Sequence, residues 1–249
     1  MTTVYLIRHG QAGPPDDYDR LSVLGEQQAR LLGAYLQRRD GAKMGRVLAG
    51  GLRRQQETAS LVAKELVGKV ASPREIEVDP RWNEFDLHRL YQRLGPPLAE
   101  DSSSFAADWE QMRDEQRLLP HGTKGATGRC DRAVIEAWMD DRYPLGEGCE
   151  TWVTFRQRIE AGWRAIREES TYARATGKEE RQVAIVTSAA PIALMVGTIL
   201  SVPNPQLLRL MAVLYNTSLT ILQWRSEGTL LLSFNGTPHL IDHSTQTFR

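Results

Sequence analysis

Val4-Tyr5-Leu6-Ile7-Arg8-His9-Gly10-Gln11-Ala12 decides the fold. Val4 to Ile7 is a short β-branched, aromatic and aliphatic run that reads as a buried strand. It passes directly into Arg8, His9 and a glycine. In open α/β sheets, ligands bind beyond the carboxyl ends of the strands, so this ending places a cation and an imidazole where chemistry is expected. Gly13 to Asp17 breaks regular structure. From Gly25, the residues Ala29, Leu32 and Leu36 follow helical spacing and complete one βα unit. Val47-Leu48-Ala49, the Gly50-Gly51 turn and the helix marked by Thr58-Ala59, Leu61-Val62 and Leu66 make a second. Ile76-Glu77-Val78 reads as a third strand.

Further on, Thr151 to Arg167 is an amphipathic helix, with Trp152, Phe155, Ile159, Trp163 and Ile166 at three- and four-residue steps. It feeds Val183-Ala184-Ile185-Val186, a continuous apolar run of the kind parallel sheets bury on both faces. Pro191 suits an early position of the next helix. Leu219 to Trp224 and Leu230 to Phe234, joined around Ser226-Glu227-Gly228, read as a hairpin at the sheet edge. Strands alternating with helices predict a three-layer α/β/α fold with a mostly parallel central sheet. Between Pro80 and Gly148 the pattern loosens. Pro96-Pro97, Ser102-Ser103-Ser104 and Gly122 to Gly128 are read as interrupting short helical stretches around Trp109 and Trp138. The expectation is a single domain over 1–249 with a helical insertion at about 90–148.

Composition narrows the function classes. Among 249 residues, 31 Lys and Arg balance 31 Asp and Glu, so the basic excess that argues for nucleic acid is missing. Hydrophobic residues at 41% and charged residues at 25% are ordinary for a packed globular chain. Cys130 and Cys149 form no Cys-x-x-Cys pair, and reduced thiols are expected. Met1-Thr2-Thr3 leaves no room for a signal peptide, and Ala189 to Val202 falls short of the ~20 apolar residues of a membrane span. The expectation is a cytoplasmic protein that binds neither membrane nor nucleic acid, its oligomeric state left open.

At the predicted strand ends stand Arg8 and His9, Arg53-Arg54, Glu84, and Thr187-Ser188. Guanidinium forks suit phosphate oxygens, an imidazole can act as nucleophile, and a carboxyl group can move protons. That set points to phosphoryl transfer.

At these residues the chain resembles the histidine phosphatase superfamily, the group that includes phosphoglycerate mutases and acid phosphatases. Leu6 to Ala12 resembles the family signature. Leu21-Ser22-Val23-Leu24-Gly25-Glu26-Gln27-Gln28-Ala29 is similar to its Leu-Thr-x-x-Gly-x-x-Gln-Ala helix start, and Leu52 to Ala59 to its Leu-x-Arg-x-x-Gln-Thr-Ala segment. Trp82-Asn83-Glu84-Phe85-Asp86 occupies the place of the acid segment, and Asn235 to Leu240 resembles the closing tail. The resemblance covers most of the chain outside roughly 90–148. It implies a hydrolase of phosphate monoesters, on a phosphorylated small molecule or a phosphoprotein, through a phosphohistidine at His9. Arg8 and Arg54 are implied as the phosphate clamp and Glu84 as the proton donor and acceptor, with no cofactor and no metal.

One departure is large. The family has a second histidine in a Val-Thr-His-Gly-Gly-like run, and here the residues are Val186-Thr187-Ser188-Ala189-Ala190. Ser188 can donate one hydrogen bond to a phosphoryl oxygen and so joins the expected phosphate-binding set, but it brings no charge. A charge-assisted hydrogen bond is worth roughly 1.5–3 kcal/mol against 0.5–1.5 for a neutral one, which implies turnover slower by about one order of magnitude or more. Two other readings therefore stay open: a catalytically weak phospho-ligand binding or regulatory module, and a phosphoglycerate mutase, against which the missing histidine counts. Asp86 is the alternative to Glu84, and Ser188 reads equally as a helix cap. His88, where the family often has Gly, is a smaller departure. Arg53 is read as surface, and His121, His239 and His243 show no metal-ligand spacing and are assigned no site. Trp109, Trp138, Trp152 and Trp163 are read as core or cover.

Overall fold

The computed structural model describes residues 1–14, 17–40, 44–66, 76–118, 125–176 and 182–248. His121, Pro15, Asp16 and the first residues of the expected Gly122 to Gly128 break lie outside the described residues. The chain forms two compact units, Met1–Glu84 with Arg158–Arg249, and Phe85–Gln157.

The first unit is built on a six-stranded sheet in the order β3-β2-β4-β1-β5-β6. Its strands are β1 (Thr2–Arg8), β2 (Met44–Ala49), β3 (Ile76–Val78), β4 (Gln182–Thr187), β5 (Leu219–Arg225) and β6 (Gly228–Gly236). β3, β2, β4 and β1 run parallel, while β5 is antiparallel to both β1 and β6. This is the α/β/α arrangement with a mostly parallel sheet. β1 and β4 sit at its centre, so residues at their carboxyl ends open together: Arg8 is in register with Thr187.

Alternation along β1 sends its side chains to the two faces. Tyr5 and Ile7 join a buried cluster with Leu32 and Leu36 of α1 (Val23–Asp40), Ala59 and Val62 of α2 (Arg53–Leu66), and Ala184 and Val186 of β4. Val4 and Leu6 are buried too and point the other way. On that side lies α7 (Ala189–Leu200), buried continuously from Ala190 to Gly197, as befits a helix apolar on all sides. Pro191 is its third residue, where a missing N–H leaves no intrahelical bond unmade. α8 (Asn204–Val213) follows.

The second unit holds α3 (Leu87–Asp101), α4 (Ser103–Leu118), α5 (Ala126–Met139) and the start of α6 (Trp152–Ala175), which continues into the first unit. Phe85, Trp138, Trp152 and Phe155 meet ring to ring in its core, with centroids 4.8–5.9 Å apart. One expected break is overturned. Pro96 and Pro97 lie inside α3, where the buried stripe Leu90, Leu94 and Leu98 packs on both sides of them. That packing outweighs the roughly 3 kcal/mol that an interior proline costs. Of the expected Gly122 to Gly128 break, Gly125 precedes α5 at a positive φ and Gly128 lies within the helix. Ser102 does end α3, and its hydroxyl accepts the Phe105 amide at the start of α4.

Candidate active site

β1 delivers Arg8 and His9 to the carboxyl edge of the sheet, where the His9 amide donates to Thr187 O at 2.9 Å. The turn after it needs glycine. A Cβ on Gly10 would lie 2.5 Å from Gly25 O, and one on Gly25 would lie 2.2 Å from Gln11 O, so two glycines let this loop lie on the start of α1. The resulting backbone is held by side chains from far away. Gly10 N donates to Thr58 Oγ1 and Gln11 N to Gln28 Oε1. Gln28 Nε2 donates to Thr245 O and Thr247 Oγ1, Thr247 Oγ1 donates to Asn216 Oδ1, and Asn216 Nδ2 donates to His9 O at 3.1 Å.

His9 is 3% exposed. Its Nδ1 lies 2.7 Å from Gly10 O, an acceptor, so Nδ1 carries the proton and Nε2 carries the lone pair. Arg54 Nε donates to that lone pair at 3.1 Å. Burial, then the guanidinium charges of Arg54 and Arg8, push the imidazole well below its ordinary value of 6.5, against the pull of the Gly10 carbonyl. His9 is therefore neutral at pH 7 with Nε2 unprotonated, the state a nucleophile requires.

Arg54, second residue of α2, is buried and splits its guanidinium: Nε on His9, and Nη1 on Asp19 Oδ1 at 2.8 Å, with the Tyr18 ring 5.2 Å away. Asp19 Oδ2 also accepts the Arg53 amide at the head of the helix, so one carboxylate caps α2 and orients its arginine. The Arg53 side chain points to solvent and pairs with Glu57 at 2.8 Å. Arg8 is buried, and its Nη1 donates to Leu214 O.

Ser188 takes the N-cap position of α7, yet its side chain makes no cap hydrogen bond. Its Oγ instead accepts from Gln55 Nε2 at 2.9 Å, and the residue is 1% exposed. An imidazole at this position has to displace Gln55. Ser188→His is expected to lower the melting temperature, at the roughly 1–3 kcal/mol typical of overpacking, and an unchanged melting temperature would show that the space is there after all.

Glu84 is half-buried, and its Oε2 accepts the Ala190 amide, in the first turn of α7, at 3.1 Å. Its segment is tied down by Trp82 O, which accepts from Thr187 Oγ1 at 2.6 Å, and by Arg158 Nη1 on the carbonyls of Arg81 and Asn83. Asp86 is exposed and serves as N-cap of α3 in the second unit, accepting the Arg89 amide. The structure thus brings Arg8, His9, Arg54, Ser188 and Glu84 to one end of the sheet in the first unit, and Asp86 caps α3 in the second. Among the described residues no three His, Cys, Asp or Glu side chains gather as metal ligands.

The sequence reading missed Asp19, Gln55, Asn216 and Thr217. Thr217 has φ +56°, a conformation that β-branched residues rarely adopt, and it is buried. Its amide donates to Arg8 O at 3.0 Å, and its hydroxyl donates to Asn216 O at 2.7 Å. With that proton committed, His239 Nε2–H donates to Thr217 Oγ1 at 2.9 Å. His239 thus braces the Arg8–His9 backbone from the closing tail. The polar run Asn216-Thr217-Ser218 just before an apolar strand was the available signal.

Burial lowers the His239 pKa from 6.5 to about 4. The unfolded chain then binds the extra proton first as pH falls. Stability present above pH 6.5 is lost as pH drops towards 4, by up to about 3 kcal/mol at about 1.4 kcal/mol per unit. Thermal melts between pH 7 and 4 should show a steep fall that is shallower in His239→Gln. Parallel curves for the two proteins would exclude His239 as a source.

The profile of the histidine phosphatase superfamily (branch 1) matches residues 4–134 and 122–237. A mitochondrial serine/threonine-protein phosphatase Pgam5 from Caenorhabditis briggsae is 28% identical over 177 residues, covering 66% of this chain and 62% of that protein. This chain therefore spans less than two thirds of the length of that relative. Among solved structures, Bacillus stearothermophilus YhfR superposes with TM-score 0.61 at 19% identity, covering 96% of this chain and 100% of that one. A mutant phosphoserine phosphatase from Entamoeba histolytica, in complex with phosphoserine, gives TM-score 0.58 at 16% identity, covering 97% and 100%. No helix among the described residues is long and apolar enough to cross a membrane. With the profile spanning most of its length and the family fold around a strand-end histidine, the chain belongs to the histidine phosphatase superfamily.

Proposed function

We propose that the protein is a phosphatase that hydrolyses phosphate monoesters through a phosphohistidine at His9. The observation that carries this reading is the state of the His9 ring: Nδ1 bound to Gly10 O, Nε2 carrying a lone pair beside two buried arginines, and a pKa well below 6.5. In the first step Nε2 attacks phosphorus in line, the N–P bond forms, and the P–O bond to the leaving group breaks. Glu84 gives its proton to the departing oxygen. In the second step Glu84 takes a proton from water, whose oxygen attacks phosphorus, and the N–P electron pair returns to Nε2. Arg54 leaves the His9 lone pair and moves with Arg8 onto the phosphoryl oxygens, where charge builds in the transition state. Ser188 offers a neutral hydrogen bond to the same group.

The Ala190 amide holds the Glu84 carboxyl at the head of α7, two residues from Ser188, and that placement supports Glu84, while Asp86 caps α3 and remains the alternative. The names of the relatives support a phosphorylated small molecule or phosphoprotein as substrate. We place the whole chain, 1–249, in one functional domain with its helical insertion, and in the cytoplasm, where Cys130 and Cys149, not joined in a disulfide, stay reduced.

Ser188 favours one other reading, a phospho-ligand binding module of weak activity, because a neutral donor replaces the family's second histidine. A panel of aryl, alkyl and protein phosphate esters, assayed for phosphate release with and without chelator, separates the two. Turnover on at least one ester, unaffected by chelator, is expected of the phosphatase. Tight binding with no turnover on any ester would establish the module.

A further inference from the structure

Gln55 is fully buried near the head of α2, beside Arg54, and every polar atom of its side chain is used. Oε1 accepts the Leu52 amide at 3.2 Å. Nε2 has two protons: one goes to Ser188 Oγ at 2.9 Å and the other to Trp82 O at 3.3 Å. This amide therefore ties together three segments that the proposed reaction needs, namely α2 with Arg54, the end of β4 with Ser188, and the segment that leads to Glu84.

The hydrogen bond to Ser188 has a direction. A serine hydroxyl has one proton and two lone pairs, and an amide N–H can only donate. Gln55 therefore occupies an acceptor side of Ser188 Oγ and leaves the hydroxyl proton unspent. Ser188 makes no cap bond that would spend it, and a 1% exposed hydroxyl has little access to water. A buried donor proton without an acceptor is costly, so it has a use when an acceptor arrives. We propose that Gln55 is a positioning residue: it fixes the Ser188 hydroxyl as a donor aimed at the phosphoryl oxygens. An unoriented serine would divide its time between donating and accepting, so the amide makes a neutral side chain a dependable phosphate ligand. This rests on the reading that Ser188 contacts the phosphoryl group.

The test is a double-mutant cycle read with orthovanadate as the probe, by its affinity for wild type, Ser188→Ala, Gln55→Met and the combination. Ser188→Ala and Gln55→Met are each expected to weaken vanadate by about fivefold, the scale of one neutral hydrogen bond. The combination should be no weaker than Ser188→Ala alone within about twofold, because Gln55 acts through that hydroxyl. A purely structural Gln55 would give the product of the two losses, about 25-fold, and overturn the proposal. So would unaltered affinity in Gln55→Met. If Gln55→Met does not fold, the vanadate complex of the wild-type protein decides. Ser188 Oγ should lie within about 3 Å of both Gln55 Nε2 and a vanadate oxygen, and a Ser188 turned away from either overturns the proposal. Binding that depends on His9 and Arg54 but shows no coupling sinks the Gln55 role alone. A wild type that does not bind vanadate sinks the phosphate-site reading with it.

Discussion

Replacing His9 by alanine is expected to lower phosphate release by about four orders of magnitude or more, roughly 5.5 kcal/mol of transition-state stabilisation, on every ester the wild type turns over. No other described group near the site has the same preparation. The ring is buried, its tautomer is set by Gly10 O, and its lone pair is held on Nε2 by an arginine that can exchange that contact for a phosphoryl oxygen. Fold loss is a minor confounder. The His9 backbone is anchored independently of the side chain, through Thr187 O, Asn216 Nδ2 and the Thr217 amide. Melting temperature should therefore change little while activity vanishes. Persistent chelator-resistant turnover in His9→Ala would rule out covalent catalysis at this residue.

The second large effect concerns Glu84 and depends on the leaving group. An alkyl oxygen needs a proton as it departs, whereas an activated aryl oxygen hardly does. Glu84→Gln keeps the size of the side chain and an oxygen able to accept the Ala190 amide, and removes only the transferable proton. The expected result is a loss of about 10²–10⁴-fold in kcat on alkyl phosphates, the usual scale of general acid catalysis, with a much smaller loss in the first step on aryl phosphates. Because the same carboxylate activates water in the second step, the aryl reaction should become limited by breakdown of the phosphoenzyme and show a burst. Equal losses on both substrates, without a burst, would assign the proton elsewhere.

Much of this was legible in the sequence because local pattern and tertiary role coincide there. The run Val4 to Ile7 is apolar at every position because β1 is central and covered on both faces. Leu219 to Phe234 alternates more loosely because β5 and β6 approach the sheet edge. The motif residues Gln28 and Thr58 were recognised without a reason, and the structure supplies one: both hold the backbone that follows His9.

What stayed hidden acts across long chain separations or against local preference. Asn216 supports His9 from 207 residues away, by side chain to backbone, which leaves no periodic trace. Gln55 reads as one more polar residue on a polar helix, and only the fold buries it against Ser188. Pro96 and Pro97 signal a break that packing along Leu90, Leu94 and Leu98 overrides. Thr217 holds a positive φ that its own residue type disfavours, and its amide meets the carbonyls of Arg8 and His9.

The most direct test is to quench the wild-type protein during turnover of its best ester and locate the trapped phosphoryl group by mass spectrometry. The account predicts one phosphoryl group on His9, labile in acid and stable in alkali as an N–P bond should be, formed at a rate no slower than turnover. A phosphoryl group on Ser188, stable in acid, would contradict it, as would steady turnover with no phosphorylated His9 at any time.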